Sequence, residues 1–283
     1  MQSELPPHLI GALAAPGPAM NELSSSLPPT NTQTAHDQHG QYPQATTVDD
    51  FRHNLAAVHA RIEAACQRVG RDPATVRLLP VSKTKGEDAI RAAYAAGCRF
   101  LGENKVQEAY SKWQAMQDLT DLKWSVIGHL QTNKVKQVID KVTMIHSVDS
   151  IKLAKEIDKR AAAVDLVMDI LIEINLAEEE SKTGIAKAEV FELVASIVNT
   201  CDHIRVRGIM CIPPRGDTPE DSRKYFREAR SIYDKLRNSE LPTARAPIDT
   251  LSMGMSADFE IAIEEGATIV RVGSSIFGQR DYR

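Results

Sequence analysis

Short apolar segments alternate with amphipathic segments along most of this chain. The apolar runs are continuous, as in Ile170-Leu171-Ile172, which is typical of parallel strands that are covered on both faces. Eight such runs predict strands over 76–82, 98–102, 123–128, 144–148, 168–176, 204–210, 249–253 and 268–272.

Helical patterns surround these runs. The first covers 49–68, where apolar residues recur at intervals of three or four, and Thr47 or Asp49 can cap its start. The stripe consists of Phe51, Leu55, Val58, Ile62 and Ala65. Further helices are predicted near 86–96, 104–116, 131–140, 149–163, 187–199, 219–237 and 257–265. Candidate N-caps for these helices are Asp149 or Ser150, Thr218 and Ser256.

Eight strands joined by helices favour one α/β fold, a TIM-type (β/α)8 barrel. The alternative is an open doubly wound sheet, but no GxGxxG motif follows the first strand. Only about ten residues follow the last predicted strand. We therefore expect residues 47–283 to form a single barrel with a leading helix and no second, C-terminal domain.

The first 46 residues differ in composition from the rest. They contain half of the fourteen prolines, many Ser, Thr, Gln and Asn residues, and almost no helical periodicity. Such a segment buries too little apolar surface to offset its ordering entropy, so 1–46 is predicted to be a disordered tail. It lacks the basic and apolar regions of a secretory signal.

Composition excludes several classes of function. A net charge of -4 gives no electrostatic basis for binding nucleic acid or an anionic membrane, and no apolar run is long enough to span one. The four cysteines are scattered, without the spacing of a metal site. A cytoplasmic protein fits this cysteine usage best, and the absence of a leftover apolar stripe favours a monomer.

Two segments near the end of the chain are suited to bind a phosphate. Residues 252–256 and 271–275 follow the seventh and eighth strands, where TIM barrels usually bind phosphate. Gly273 lets backbone N–H groups approach closely, and Ser256 and Ser274 add hydroxyl donors. Ser256 can also be only a helix cap, but the pair of segments favours phosphate.

Lys83 ends the first predicted strand and faces the same mouth. It can be a solvated loop residue, but an inward-facing lysine beside an apolar floor is a nucleophile suited to a Schiff base. Arg271 lies two residues before Gly273 and should point the same way. A buried arginine there needs an acceptor, and a ring nitrogen can serve.

The chain resembles the pyridoxal phosphate homeostasis protein family from about residue 50 to the end. The stretches that carry the resemblance are LLPVSKTK (78–85), FLGENKVQEA (100–109), WSVIGHLQTNK (124–134), HSVD (146–149), INLAEEESKTGI (174–185), RGIMCIPP (207–214) and LSMGMSADFEIAIEEGATIVRVGSSIFGQRDY (251–282). The resemblance implies a barrel like the N-terminal domain of alanine racemase. It also implies a protein that binds pyridoxal 5'-phosphate (PLP) and buffers or delivers it without a known reaction.

The resemblance also implies roles for individual residues. Lys83 looks like the Schiff-base lysine, and Arg271 like the partner of the pyridine nitrogen. The implied phosphate ligands are Ser256, Gly273 and Ser274, and the implied ring-pocket residues are Asn104 and Met253. His129 is left out, since a lone histidine is more often structural.

Three functions are compatible with these features. The preferred one is non-catalytic PLP homeostasis, with apo PLP-dependent enzymes as possible partners, because an arginine on the pyridine nitrogen makes the ring a poor electron sink. An amino-acid racemase is the alternative, but it needs a second acid/base group, and Tyr110, Tyr225 and Tyr282 are weak candidates. A third is an aldolase-like sugar phosphate enzyme that uses Lys83.

Overall fold

The computed structural model describes residues 44–177, 183–239 and 246–279. The tail predicted over 1–46 lies outside these residues except for its last three positions, so its predicted disorder stays a prediction. Within the described residues the chain forms one parallel sheet wrapped by helices.

All eight predicted strands are present. The strands are β1 (Arg77–Pro80), β2 (Phe100–Glu103), β3 (Lys123–Val126), β4 (Met144–Val148), β5 (Met168–Asn175), β6 (Ile185–Ala186), β7 (Ile204–Cys211), β8 (Thr250–Met255) and β9 (Ile269–Val272). Only β6 was not predicted. It is a short strand that pairs with the end of β5, and its length is too small to give a periodic signal.

The sheet closes into the predicted barrel. Its strand order is β1-β9-β8-β7-β5-β4-β3-β2, and every pairing is parallel. Between the two ends of this order, β1 and β2 meet through one bridge, Val81 with Gly102. The Ser82 N–H also donates to the Gly102 carbonyl at 3.2 Å. The β1–β2 seam is thus the least paired seam of the barrel in the described residues.

The helices follow the predicted alternation. They are α1 (Val48–Arg68), α2 (Glu87–Ala95), α3 (Val106–Ala115), α4 (Ile151–Ala162), α5 (Val190–Thr200), α6 (Arg223–Arg237), α7 (Phe259–Glu264) and α8 (Ser274–Phe277). Short 3-10 helices lie at Pro73–Thr75, Thr132–Gln137, Lys187–Glu189 and Pro219–Ser222. No described helix is both long enough and apolar enough to span a membrane.

The helix starts differ in part from the prediction. Thr47 caps α1 in a reciprocal capping box with Asp50, and Ser150 caps α4, both as predicted. The predicted helix over 131–140 is instead the 3-10 helix Thr132–Gln137, which lacks a side-chain cap and contains weak helix formers. The short helix α8 was not predicted.

Two apolar clusters divide the core. The larger one lies between the strands and the helices. The smaller one fills the barrel interior and consists of Leu79, Val81, Ile127, Met144, Leu171, Met210 and Ile269. Because side chains alternate along a strand, these residues identify the inward face of each strand. On β1 the inward series Leu79, Val81 leads directly to Lys83.

Helix α1 packs against the last part of the chain. The Phe51 and Phe277 rings make an edge-to-face contact with centroids 5.2 Å apart, and both side chains are fully buried. The Asn54 side chain donates to the Ile276 carbonyl at 2.9 Å. Because Phe277 and Ile276 belong to α8, these contacts anchor α8 against α1 directly after β9.

Replacing Phe51 by alanine removes this contact. We expect Phe51→Ala to lower the free energy of unfolding by about 3–5 kcal/mol, the usual cost of truncating a buried phenylalanine. Chemical denaturation monitored by circular dichroism measures the loss. Phe51→Leu, which keeps most of the volume, should cost clearly less. Equal losses in the two variants would contradict the importance of the packed ring.

Candidate functional site

Two of the predicted site residues, Lys83 and Gly273, lie where β1 and β9 end. The two strands pair in parallel with Leu79 opposite Arg271, and the Val81 N–H donates to the Val272 carbonyl at 2.9 Å. A Cβ on Gly273 would lie 3.3 Å from the Val81 carbonyl oxygen, so the two backbones approach closely there. Lys83, half-buried, follows Val81 by two residues. The strand register therefore places Lys83 and Gly273 at the same edge.

Ser256 connects the loop after β8 to the loop after β9. Its Oγ accepts hydrogen bonds from the Gly273 N–H at 3.1 Å and the Ser275 N–H at 3.5 Å. Ser274 is the first residue of α8, so its N–H has no partner within that helix. Ser256 thus brings the loop after β8 against the backbone N–H groups of the loop after β9.

The predicted capping role of Ser256 is wrong. Helix α7 begins at Phe259 with Asp258 at its N-cap position, two residues later than the sequence suggested. Asp258 Oδ1 accepts the Met255 N–H at 2.7 Å and stabilises the turn, which leaves Ser256 to bind the β9–α8 loop. The additional donors at this site therefore come from α8 and not from α7.

Ser275 lies in the segment 271–275 that the sequence predicted for phosphate binding, but it was not itself predicted as a ligand. Its side chain is buried, and its Oγ has no hydrogen-bond partner among the described residues. A buried unpaired hydroxyl is rare in folded proteins and indicates an absent partner. It lies beside the Gly273 and Ser274 donors, so the donor set fits a phosphate group. The adjacent serines in the Gly273-Ser274-Ser275 run were the available signal.

Arg271 is buried on the inward face of β9. Its guanidinium donates to Ser252 Oγ at 2.7 Å and to the Cys211 carbonyl at 2.9 Å. Burial lowers the pKa of the Arg271 guanidinium. A guanidinium has five N–H donors, so donors remain for an acceptor inside the barrel. The two bonds fix its position, which suits it to bind the ring nitrogen of a ligand.

Ser252 links Arg271 to a buried histidine. His146 Nδ1 lies 3.2 Å from Ser252 Oγ. Burial, followed by the charges of Arg271 and Arg77, lowers the pKa of His146 to about 3, so this imidazole is neutral. Because an arginine only donates, the Ser252 hydroxyl proton is available for His146 Nδ1. Sequence reasoning missed both residues, although a lone histidine in the apolar run 144–148 was a signal.

A buried polar cluster lies behind Lys83. Ser82 Oγ donates to Glu103 Oε1 at 2.5 Å, and Lys112 Nζ donates to the same oxygen and to the Ser82 carbonyl, each at 2.7 Å. Burial raises the pKa of the Glu103 carboxyl, and Lys112 opposes this shift. The cluster joins β1, β2 and α3 beside the β1–β2 seam, which has few backbone hydrogen bonds.

The backbone just after Lys83 has an unusual conformation. Thr84 has a φ of 67°, in the left-handed region that β-branched residues rarely adopt. Its N–H donates to Glu108 Oε2 at 2.9 Å, and the Lys85 N–H closes the turn onto the Ser82 carbonyl at 3.0 Å. Strain of this kind concentrates at functional sites. Here it sets the direction of the backbone immediately after Lys83.

The two residues predicted for the ring pocket differ in their positions. Asn104 is exposed at the end of β2 and lies against Gly128, where a Cβ would come within 2.3 Å of the Asn104 carbonyl oxygen. Met253 is fully buried in the cluster shared with the helices, on the other face of β8 from Ser252. The structure does not bring the Met253 side chain to the inward residues. Contacts of Asn104 and Met253 with a ring stay predictions.

Glu173 is a further buried acidic residue that was not predicted, and it lies on the inward face of β5. Its Oε1 accepts a hydrogen bond from Thr183 at 2.7 Å, while its Oε2 has no partner among the described residues. Burial raises the pKa of Glu173, Asp149 adds to the rise, and Arg271 and His129 oppose it. The sequence feature that could have indicated this residue was a single glutamate within the apolar run of β5.

Other chemistries have little support in the described part of the chain. No group of His, Cys, Asp and Glu residues there could hold a metal ion. All four cysteines are buried. Burial raises the pKa of the Cys211 thiol to about 12 and that of Cys98 to about 11. These two thiols stay protonated, which makes them poor nucleophiles.

Removing Lys112 tests the buried cluster. Lys112→Met leaves Glu103 buried without its cation, and we expect a loss of about 3–5 kcal/mol in the free energy of unfolding. Urea titration measures it. The double variant Glu103→Gln, Lys112→Met removes both charges and should recover part of the loss. A double variant less stable than the single one would contradict the assigned pairing.

The neutral histidine gives a pH test. The pKa of His146 is about 3 in the folded state and about 6.5 when unfolded, so the unfolded chain gains a proton first as the pH falls. The stability associated with neutral His146 is present above pH 6.5 and decreases between pH 6.5 and 3. His146→Asn should therefore lose less stability than the wild type over this interval. Parallel curves of unfolding free energy against pH would contradict the assignment.

Comparison with known proteins gives a consistent result. The family model for the alanine racemase N-terminal domain matches residues 53–281. The pyridoxal phosphate homeostasis protein of Aquifex aeolicus is 46% identical over 231 residues, 81% of this chain and 97% of that protein. The protein of that name from Escherichia coli K12 is 42% identical, over 83% of this chain and 99% of its own.

Solved structures agree with the barrel. PipY of Synechococcus elongatus PCC7942, solved with PLP bound, is 34% identical and superimposes with a TM-score of 0.68 over 81% of this chain and 100% of its own. An alanine racemase of Clostridium difficile 630 has a TM-score of 0.60 at 16% identity over 61% of its length, which supports the fold alone. On the extent and identity of these matches, the chain belongs to the pyridoxal phosphate homeostasis protein family.

Proposed function

We propose that this protein binds pyridoxal 5'-phosphate at the carboxyl-terminal mouth of its barrel and contributes to PLP homeostasis without catalysing a reaction of its own. The observation that carries the proposal is the position of Lys83 at the same edge as Gly273, next to the Ser274 N–H and the unpaired Ser275 hydroxyl. PLP supplies an aldehyde that condenses with an amine, a phosphate and a pyridine ring. Relatives at 46% and 42% identity are named for this role.

Each part of the cofactor has a matching group. Lys83 supplies the amine for the covalent link, and the short strained turn at Thr84 holds the chain that presents it. The phosphate would accept from the N–H groups at the start of α8, from Ser274 and from Ser256. Ser275, whose buried hydroxyl lacks a partner, adds a donor.

Arg271 supports a role in holding the cofactor. A permanently charged donor facing the pyridine nitrogen keeps that nitrogen unprotonated, which weakens the ring as an electron sink for carbanion chemistry. Arg271 is fixed by Ser252 and the Cys211 carbonyl, so its charge cannot move away. Storage and transfer of the cofactor need the covalent link and the phosphate contacts but not this electron sink.

A racemase is the less favoured alternative, because it needs acid/base groups on both faces of the substrate carbon. Tyr110 is exposed on α3 with its ring near Lys141, and Tyr225 lies on α6 near Lys224. Both helices are outside the barrel, so neither tyrosine is placed as the second group. Tyr282 lies outside the described residues.

We further propose that the protein acts as a monomer in the cytoplasm and passes PLP to apo-enzymes. The buried thiols of Cys66, Cys98 and Cys211, which form no disulfide, are consistent with a reducing compartment. An exchange role fits a lysine at the edge of the barrel, where the attached cofactor would be accessible to a recipient. Transfer of PLP from the purified protein to an apo-enzyme, followed by recovery of that enzyme's activity, tests the delivery.

The covalent site can be tested directly. After incubation with PLP and reduction with borohydride, peptide mapping should find the pyridoxyl group on Lys83, and Lys83→Ala should abolish this label. Lys85→Ala is a matched control, because Lys85 Nζ contacts Gln44 Oε1 and the Gln279 carbonyl. A label that persists in Lys83→Ala, or an unlabelled wild-type protein, would overturn the proposal.

The absence of catalysis needs its own measurement. We expect the PLP-saturated wild type to interconvert L-alanine and D-alanine no faster than Lys83→Ala. Chiral chromatography over many hours makes the assay sensitive to slow turnover. Racemisation that requires Lys83 would favour the enzyme alternative.

A further inference from the structure

The opposite end of the barrel contains a cavity of about 410 Å³. It opens between the amino-terminal ends of the strands, away from Lys83. Four apolar side chains of the inward cluster and its border form the floor, namely Leu79, Phe100, Met144 and Ile269. A cavity of this size accommodates a small organic molecule.

The rim of the cavity has uncompensated positive charge. Arg77 and Lys123 are exposed and lie on the Phe100 ring, 5.4 Å and 5.7 Å from its centroid. Neither forms an ion pair with any residue that the structure describes. Both cations are therefore available to a ligand that reaches the ring.

The acidic residues of the rim are already paired. Asp169 accepts from Arg205 at 2.6 Å and from Arg207 at 3.0 Å, and Arg207 also pairs with Asp249. These ion pairs neutralise both carboxylates, Asp169 and Asp249, within the protein. The charges left for a ligand are those of Arg77 and Lys123, so the cavity favours an anion.

Two buried polar side chains, Ser125 and His146, also line this cavity. Ser125 is 6% exposed, and its hydroxyl makes no hydrogen bond to a described residue. His146 is 1% exposed, and the only hydrogen bond of its ring within the described chain uses Nδ1. In the tautomer in which Nδ1 accepts from Ser252, the imidazole proton is on Nε2, where it can be donated to a ligand.

We propose that the amino-terminal mouth of the barrel is a second binding site, for a small organic anion with a carboxylate or phosphate group on an apolar or aromatic body. Arg77 and Lys123 bind the anionic group, Ser125 and His146 donate hydrogen bonds, and the body packs on Phe100 and Met144. The site uses no residue of the PLP site, so it does not depend on the proposed function.

The experiment uses methyl NMR of the full chain labelled with 13C at methionine methyl groups. The protein is first saturated with PLP and then titrated with benzoate or with inorganic phosphate. The Met144 signal, assigned with Met144→Leu, should shift with saturation, whereas that of Met253, which lies on the helix side, should not. If the Met144 signal shifts with benzoate but not with phosphate, the site binds a carboxylate on an apolar body. If it shifts with phosphate but not with benzoate, the site binds a phosphate group.

Charge reversal completes the test. Arg77→Glu, Lys123→Glu should weaken the binding of the active anion by about tenfold or more, because two charge-assisted contacts become repulsive. Lys152→Glu, Lys155→Glu makes the same charge change on exposed α4 positions and should leave binding unchanged. If the double variant fails to fold, Arg77→Gln replaces it. No Met144 shift with either anion, or equal weakening in both double variants, would overturn the proposal.

Discussion

The closure of the barrel at the β1–β2 seam depends on buried charge more than on backbone pairing. One bridge, Val81 with Gly102, joins these strands, while the Ser82–Glu103–Lys112 cluster ties them together from behind. A buried ion pair is not in itself a large source of stability, but loss of one partner is costly. The cluster therefore makes correct closure a condition of folding. Since Lys83 follows Ser82, the same contacts determine where the lysine stands.

The interior of the barrel is divided by depth. Apolar side chains fill the middle, and polar groups occupy the inward positions toward each end. Arg271 and Glu173 lie on the side of the carboxyl-terminal mouth, and each is a charge that burial alone would disfavour. The protein tolerates them because Ser252, the Cys211 carbonyl and Thr183 provide partners. Groups that remain incompletely satisfied, such as the Ser275 hydroxyl, are the natural contacts for a ligand.

Much of this architecture was predictable from the sequence, for reasons that are local. The apolar runs predicted the strands. Because the first and last strands of a closed parallel barrel are neighbours, their ends placed Lys83 at the same edge as Gly273. Helix α8 and strand β6 are too short to produce a pattern. The capping role of Ser256 was wrong because Asp258, two residues later, competes for the same turn.

The sequence did not predict the inward polar residues, and the reason is different. His146, Glu173 and Ser252 each stand alone in an apolar run, and a single strand does not show which face will be inside. That becomes known only when the sheet closes and opposite strands are brought within bonding distance. The His146–Ser252 contact spans 106 positions of sequence. No local pattern contains that information.

Barrels of this type usually insulate one face from the other with a plug of apolar side chains. Here the plug includes a continuous path of polar atoms, from the His146 ring through the Ser252 hydroxyl to the Arg271 guanidinium. Low polarity around the path strengthens each hydrogen bond along it, and neighbouring bonds polarise one another. The electronic environment that Arg271 would offer to a ring nitrogen is consequently not a local property. It is set over the full depth of the barrel.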